Sequence, residues 1–287
     1  MSADNQSVFE RISSEYYSLT ASEKKAADFV LAHQGDTQFM SISELADASG
    51  VAEATVSRFC RRLGYKGYNA FKLAVANSAV QHKPWGNPLS GEVTASDSLE
   101  DICRKLYGAD VDAITQTMHL LDLDAVRQAA DLLEQSNKVL CMGQGGSMLI
   151  ANEASHLFST VSNKFFPVSD SHMQAVAATM MGKQDTILFF SYSGSTLAMM
   201  ETLKLARQRG GKVILVTRFP NSPGAEMADV VLQCGANESP LQLGSIGARI
   251  AQMYLLDVVF SEFCRRNLDE ARQSRSRIAD ALAEKHI

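Results

Sequence analysis

The sequence predicts two domains of different fold class, an all-α helix-turn-helix domain followed by a doubly wound α/β domain with a five-stranded parallel sheet. Up to about Ala79, apolar residues recur at helical spacing and form no convincing strand. From residue 137 onward, five short apolar runs alternate with segments of helical spacing, which is typical of parallel strands covered by helices on both faces. The length of 287 residues suits two domains of moderate size.

Composition excludes several classes of protein. Hydrophobic residues make up 46% of the chain and charged residues 21%, which is typical of a soluble globular protein. Because no apolar run reaches the ~18 residues of a membrane helix and the first residues do not resemble a secretory signal, we expect a cytoplasmic protein. The net charge of −5 argues against indiscriminate coating of nucleic acid but allows a local basic face. The five cysteines contain no Cys-x-x-Cys pair, so we expect no metal site.

The clearest motif of the N-terminal part lies within residues 43–64. Ser43 is expected to cap a short helix, and Gly50 to form the tight turn that follows it. In the next helix an apolar stripe at i, i+3, i+4, i+7 consists of Val56, Phe59, Cys60 and Leu63. The opposite, exposed face carries Ala54, Arg58 and Arg61. A short helix, a glycine turn and a second helix with a basic outer face predict a DNA-binding helix-turn-helix.

Positive charge is concentrated on this second helix and the turn after it. No acidic residue occurs from Thr55 to Lys72, a segment that contains the cations Arg58, Arg61, Arg62, Lys66 and Lys72. The planar guanidinium groups of Arg58 and Arg61 suit guanine edges. We expect Thr55 and Ser57 to contact phosphate or a base edge, and Lys66 and Tyr68 to contact the DNA backbone. The alternative is an amphipathic helix whose basic face is only solvated.

Hydrophobic spacing and turn residues divide the rest of the chain. We expect residues 1–79 to form the helix-turn-helix domain, 80–97 a linker, 98–136 two connecting helices, 137–267 the α/β domain and 268–287 a C-terminal helix. The predicted strands are residues 138–142, 164–168, 186–190, 212–216 and 229–233. Five strands in about 100 residues favour an open doubly wound sheet over an eight-stranded barrel.

The first loop, residues 143–147, follows the first predicted strand and opens a helix. Gly143 and Gly145 allow the backbone to approach an anion, and Ser147 adds a hydroxyl beside the free N–H groups of the helix N-terminus. The third glycine of a dinucleotide fingerprint is missing, because Met148 occupies its place. Nucleotide binding is therefore a weak alternative, and we expect no cofactor.

The second loop, residues 191–196, follows the third predicted strand and also opens a helix. Around Gly194 it carries four hydroxyl residues, which are Ser191, Ser193, Ser195 and Thr196. Hydroxyl and N–H donors at a helix N-terminus suit a phosphate monoester. A Walker-type P-loop is disfavoured because the loop has no lysine. The alternative is a polar turn that only caps a helix, although one hydroxyl would suffice for that.

Catalysis is a separate question from binding. Isomerisation of a sugar phosphate needs a general base, and Glu153, His172 and Glu238 are the available residues near the predicted loops. No spacing selects one of them, since each has an ordinary role as a surface or capping residue. We therefore expect no catalytic residues, and we keep a phosphosugar isomerase with a helical dimerisation region as the alternative function.

With these motifs, the chain resembles the RpiR-type family of bacterial transcriptional regulators, in which a helix-turn-helix is joined to a sugar isomerase (SIS) domain. The DNA-binding signature is matched by Thr55-Val-Ser-Arg-Phe-Cys-Arg-Arg-Leu-Gly64, Gly67-Tyr68 and Phe71-Lys72. The SIS pattern is matched by Gly143-x-Gly-x-Ser147, Asp170-x-His172, Ser191-x-Ser-Gly-Ser-Thr196 and Ser222-Pro223. One departure is Ala52, where family members often carry a capping serine.

The resemblance implies a flavodoxin-like SIS domain and a regulator of carbohydrate or amino-sugar metabolism whose operator affinity is controlled by a phosphosugar. It places the phosphate on the first and second loops, at Gly145, Ser147, Ser191, Ser193, Gly194, Ser195 and Thr196. It places His172, Glu238 and Arg249 nearer the sugar, or on a pocket wall shared between subunits. It also implies a homo-oligomer, either a dimer or a tetramer, that binds a palindromic operator.

Overall fold

The computed structural model describes residues 7–82, 93–236 and 247–283, which form two units. One unit contains residues 7–82 and 93–109, and the other contains residues 110–236 and 247–283. The predicted combination of a helical N-terminal region and a doubly wound α/β region is confirmed. In the part of the chain that is described, no helix is both long and apolar enough to span a bilayer.

The N-terminal unit is built from short helices around one apolar core. They are α1 (Val8–Glu15), α2 (Ala21–Ala32), α3 (Ile42–Ser49), α4 (Glu53–Arg62) and α5 (Tyr68–His82), followed by the start of α6 (Leu99–Leu120). Phe59 of α4 and Phe71 of α5 are fully buried and meet edge to face, with ring centroids 5.5 Å apart. The predicted stripe of α4 is thus the side that packs on the core.

Two sequence expectations about helix ends are wrong. Ser41, not Ser43, caps α3: its hydroxyl accepts a hydrogen bond from the Glu44 N–H, and the Glu44 carboxylate accepts one from the Ser41 N–H. This reciprocal capping box satisfies two otherwise unpaired donors, whereas Ser43 is buried in the first turn. Helix α5 continues to His82, so it enters the predicted linker, of which residues 83–92 lie outside the described part.

The C-terminal unit contains the predicted five-stranded parallel sheet. Its strands are β1 (Lys138–Gly143), β2 (Phe165–Val168), β3 (Asp185–Phe190), β4 (Lys212–Thr217) and β5 (Val230–Gln233). Their order is β2-β1-β3-β4-β5, and every neighbouring pair is parallel, which is the flavodoxin-like arrangement. Every strand boundary lies within one residue of its prediction, because these strands are nearly continuous apolar runs between polar turns.

Helices cover both faces of this sheet. They are α7 (Leu123–Gln135), α8 (Gly146–Ser159), α9 (Ser171–Thr179), α10 (Leu197–Gln208) and α11 (Gly247–Arg266). The last helix, α12 (Leu268–Ala283), follows α11 and buries only Ala271. Alternate strand residues point to opposite faces, so that one apolar cluster joins the sheet to α7, α8 and α11. A second cluster joins the other face to α9 and α10. All five strands end at the same edge of the sheet, where both predicted loops lie.

Candidate DNA-binding face and ligand-binding loops

Helix α4 exposes the face that the sequence predicts for DNA. Ala54, Arg58 and Arg61 are exposed and Ser57 is half-buried. Gly50 has a left-handed conformation with φ +65°, which a glycine adopts without strain and which ends α3 before the turn to α4. The N-cap position of α4 is Ala52, which makes no side-chain cap bond. Two guanidinium groups therefore project from the outer side of the second helix of the motif.

Two of the predicted DNA contacts have partners inside the protein. Thr55 is buried, and its hydroxyl accepts a hydrogen bond from Nη2 of Arg58 at 3.1 Å. The Tyr68 hydroxyl donates to the Met40 carbonyl at 2.9 Å, and burial raises the pKa of Tyr68. The first contact orients the Arg58 side chain, and the second anchors α5 to Met40, which precedes the N-cap residue of α3. Lys66, in contrast, is exposed in the turn after α4.

The remaining cations of this segment differ in their roles. Arg62 forms an ion pair of 3.3 Å with Glu23 and donates to the Ser18 carbonyl at 3.0 Å, so it joins α4 to the N-terminal end of α2. Burial alone would raise the pKa of Glu23, but hydrogen bonds from Thr20 and the charge of Arg62 outweigh it and lower the pKa. Lys72 is half-buried, and burial lowers its pKa to about 8. Arg58, Arg61 and Lys66 are exposed and, unlike Arg62, form no ion pair with any described residue.

The first loop lies between β1 and α8, as predicted. Gly145 is exposed, has φ +55° and forms the N-cap of α8, and Ser147 is half-buried in the first turn. A Cβ built on Gly143 would lie 2.6 Å from the Ser147 carbonyl oxygen, so only glycine allows this tight approach. The loop therefore exposes backbone N–H groups at the start of a 14-residue helix.

The second loop lies between β3 and α10. Ser191 is buried and accepts a hydrogen bond from the Gly194 N–H at 3.2 Å, while Ser193 and Ser195 are half-buried. Thr196 is exposed at the N-cap of α10 but makes no side-chain cap bond. Its hydroxyl and the first N–H groups of α10 are therefore free to bind an anion.

The backbone of Gly194 is tightly constrained within the second loop. It is buried, has φ +59°, and its carbonyl accepts a hydrogen bond from the Gly224 N–H at 2.8 Å. A Cβ at this position would lie 2.0 Å from Oγ of Ser222 and 3.0 Å from Oγ1 of Thr217. Both the dihedral angle and the contact thus require glycine.

The register of the sheet places the two loops side by side. Gly143, the last residue of β1, pairs with Phe190, the last residue of β3. The chain leaves β1 toward α8 on one face and leaves β3 toward α10 on the other, which creates a crevice at the switch point of the sheet order. Doubly wound sheets bind their ligands in this position.

The other predicted ligand residues are distributed around the first loop. The Cδ atom of Arg249 lies 3.7 Å from the Cβ position built on Gly146, so this side chain lies against the loop. His172 is exposed in the first turn of α9, after β2. Glu238 lies outside the described residues. Glu153, considered above as a base, is half-buried on α8. Over residues 7–82, 93–236 and 247–283, no group of three or more His, Cys, Asp or Glu side chains could hold a metal ion.

One residue that supports the first loop could not be predicted from the sequence. Gln174 of α9 is fully buried, and its Nε2 donates to the carbonyl oxygens of Gly143 and Val168, each at 2.8 Å. This single amide joins the ends of β1 and β2 beneath the loop. A glutamine on a helix belongs to no motif, and only the strand order brings both carbonyls within its reach.

The comparisons with known proteins cover both regions. Residues 6–82 match the family described as "Helix-turn-helix domain, rpiR family", and residues 132–262 match the SIS domain. An HTH-type transcriptional regulator of Haemophilus influenzae is 31% identical over 286 residues, which are 99% of each chain. The HTH-type transcriptional regulator HexR of Escherichia coli is 28% identical, over 96% of this chain and 94% of HexR.

A solved structure extends this similarity to the whole fold. The Vibrio vulnificus NanR protein complexed with ManNAc-6P superposes with a TM-score of 0.86 and 25% identity. The superposition covers 97% of this chain and 99% of NanR.

The geometry of Gly194 generates a first prediction. Gly194→Ala should lower the free energy of unfolding of the C-terminal unit by about 2 kcal/mol or more, because it adds both a strained φ and an overpacked contact with Ser222. Gly182→Ala is the matched control: φ is not positive there and the nearest atom would lie 3.8 Å from the new Cβ. Urea unfolding measures both variants, and equal stability of the two would contradict the prediction.

Proposed function

The chain belongs to the rpiR family of HTH-type transcriptional regulators, and from this premise we propose that a sugar phosphate bound in the crevice between the first and second loops controls its affinity for DNA. The observation that carries the proposal is the register of β1 and β3, which brings two helix N-termini and a cluster of hydroxyl groups to one crevice. The regulated genes would then be those of carbohydrate or amino-sugar metabolism.

The DNA contacts that we propose are the exposed groups of α4 and the following turn. Arg58 and Arg61 read base edges, while Ser57 and Lys66 contact the phosphate backbone. Ala54, which is exposed on the same face, leaves room for a close approach of the helix to the groove. Thr55 acts through its hydrogen bond to Arg58, and Tyr68 acts by holding α5 in place.

DNA binding is tested by removing both guanidinium groups. Arg58→Ala combined with Arg61→Ala should weaken binding to DNA upstream of the protein's own gene by at least about 30-fold, since each bidentate base contact contributes about 1–3 kcal/mol. Gel-shift titration against competitor DNA measures the loss. The matched control is Arg272→Ala with Arg277→Ala, which removes the same charge from exposed positions of α12. The assignment fails if both double variants bind alike.

The ligand contacts that we propose are polar groups of both loops. The half-buried and exposed hydroxyls of the second loop, the N–H groups of α8 and α10, and Ser147 supply hydrogen-bond donors to a phosphate. Arg249, which lies against the first loop, adds a positive charge, and His172 is at the neighbouring strand end. The similarity to NanR, solved with ManNAc-6P, supports a sugar phosphate as the ligand class.

Binding is tested by titration with ManNAc-6P and a panel of hexose 6-phosphates. Ser193→Ala with Thr196→Ala should weaken binding at least about tenfold, because hydrogen bonds to charged groups contribute about 1.5–3 kcal/mol each. Affinity for DNA without ligand should not change. Ser159→Ala, at the far end of α8, is the control. Unchanged ligand affinity in the double variant would remove the second loop from the site.

We further infer that the α/β domain acts as a sensor and not as an enzyme. The relatives are named as regulators, and the described carboxylate and imidazole groups show no arrangement that selects a base. The same titration samples test this, because the sugar phosphate should be recovered unchanged. Conversion to an isomer would instead support the phosphosugar isomerase.

We also propose that the protein is a homo-oligomer in which a second copy covers an apolar surface of the C-terminal unit. On α6, Val111, Ile114 and Met118 share one face and are 38–57% exposed.

Met118 contacts the Tyr254 hydroxyl at 3.1 Å, beside a cavity of ≈ 650 Å³ between α7 and α11. Charges of both signs line this cavity (Arg127, Arg265, Asp257 and Glu262), which allows the surface to pair with a second copy of itself about a two-fold axis. Two copies would present two recognition helices to a palindromic operator.

Met118→Asp should dissociate this oligomer, because it places a charge in the centre of a desolvated contact. Light scattering during size-exclusion chromatography at micromolar concentration measures the mass of each variant. Tyr17→Asp, at a residue that is 89% exposed in the N-terminal unit, is the matched control. A Met118→Asp protein with the mass of the wild type would place the interface elsewhere.

A further inference from the structure

Two glutamine amides beside the first loop are buried without a hydrogen-bond partner. Among the described residues, the Nε2 atoms of Gln144 and Gln252 are inaccessible to solvent and donate no hydrogen bond. Gln252 is only 1% exposed as a whole residue. More than 90% of buried polar groups in folded proteins have a partner, so two such amides in one neighbourhood need an explanation.

The position of Gln144 follows directly from the chain. It lies between Gly143 and Gly145 in the first loop, and its carbonyl accepts a hydrogen bond from the Ser147 N–H at 3.1 Å. Its backbone therefore belongs to the turn that opens α8. The Gln144 side chain therefore starts within the first loop, beside the crevice.

The position of Gln252 follows from the packing of α11 on α8. Arg249, in the first turn of α11, lies against Gly146 at the start of α8, while Phe260 packs against Phe158 near the end of α8. The two helices thus run in the same direction, with their N-termini together. Gln252 lies three residues after Arg249, and helix side chains lean toward the N-terminus, so the Gln252 amide leans toward the first loop.

Such groups destabilise the protein when nothing binds them. A buried amide that gives up its hydrogen bonds with water and receives none in return lowers stability, and an apolar side chain of the same shape would avoid this. A bound molecule with oxygen acceptors would supply the missing partners. The position of both amides next to the first loop, and not at random points of the core, indicates a molecule that is held there.

We propose that Gln144 and Gln252 recognise the sugar part of the ligand by hydrogen-bonding its hydroxyl or acyl oxygens. This inference rests on the proposed function, in which both loops hold the phosphate. Every sugar phosphate contains the phosphate group, so contacts with this group give affinity but do not distinguish one sugar from another. Neutral amides suit uncharged hydroxylated groups, and a ligand lacking those groups would leave the buried amides unpaired, which is how polar sites reject incomplete analogues.

Gln252→Met and Gln144→Met test the proposal, because methionine keeps the length of the side chain and removes the amide. Affinity for the best-binding member of the panel of ManNAc-6P and hexose 6-phosphates should fall at least about tenfold in either variant, the effect of losing one buried hydrogen bond. Thermal stabilisation by inorganic phosphate should be the same in the variants as in the wild type. In the absence of ligand, Gln252→Met should melt about 2–4 °C higher than the wild type, because an unpaired buried amide is gone.

The outcomes separate the two proposals. If the wild type binds no sugar phosphate of the panel, the proposed function fails, and this inference fails with it. If the wild type binds but both variants bind equally well, only the inference fails, and ordered water is then the partner of the amides. Equal losses for sugar phosphate and inorganic phosphate would also overturn it, since they indicate a distorted loop. Gln128→Met, at an exposed position of α7, is the control, and Gln144→Met, in a loop, remains informative if Gln252→Met does not fold.

Discussion

The parallel pairing of β1 with β3 is the constraint on which the proposed ligand site depends. Because Gly143 and Phe190 are paired at the ends of these strands, the two following loops start from neighbouring points. The chain then turns to opposite faces of the sheet, into α8 and α10. A crevice with a helix N-terminus on each side is the geometric consequence, and an anion is the ligand that it favours.

Glycine and hydroxyl residues serve different purposes within that crevice. Gly143 and Gly194 are buried and are required by tight contacts with backbone or side-chain atoms. The hydroxyls of Ser193, Ser195 and Thr196 are more accessible and can adjust to a ligand. In the proposed site, backbone N–H groups and hydroxyls of both loops hold the phosphate, and the amides of Gln144 and Gln252 distinguish one sugar from another.

The sheet could be predicted from the sequence because its signals are local. Uninterrupted apolar runs such as residues 186–190 can be recognised without knowledge of any partner strand, and so can the glycine- and serine-rich turns that follow them.

Contacts between distant residues could not be predicted. The motif predicts that Tyr68 contacts DNA, but its hydroxyl donates a hydrogen bond to the carbonyl of Met40, 28 residues earlier in the chain. The predicted cap of α3 is two residues too late, because the sequence does not distinguish Ser41 from Ser43. Only the hydrogen bond from the Ser41 N–H to the Glu44 carboxylate identifies the capping residue. Gln174 and Gln252 depend on tertiary packing, for which spacing contains no information.

Helix α4 shows how an acidic protein presents a basic face. Its five-residue segment Arg58–Arg62 contains three arginines. One of them, Arg62, is neutralised by Glu23, whose carboxylate also accepts a hydrogen bond from the Thr20 N–H. Arg62 therefore contributes to the packing of α4 rather than to its outer potential. The other two guanidinium groups project from the exposed face, and no acid lies among residues 55–72 to weaken their field. Since charges separated by more than about 8–10 Å are largely screened at physiological salt, this local exclusion of acids matters more for DNA than the net charge of −5.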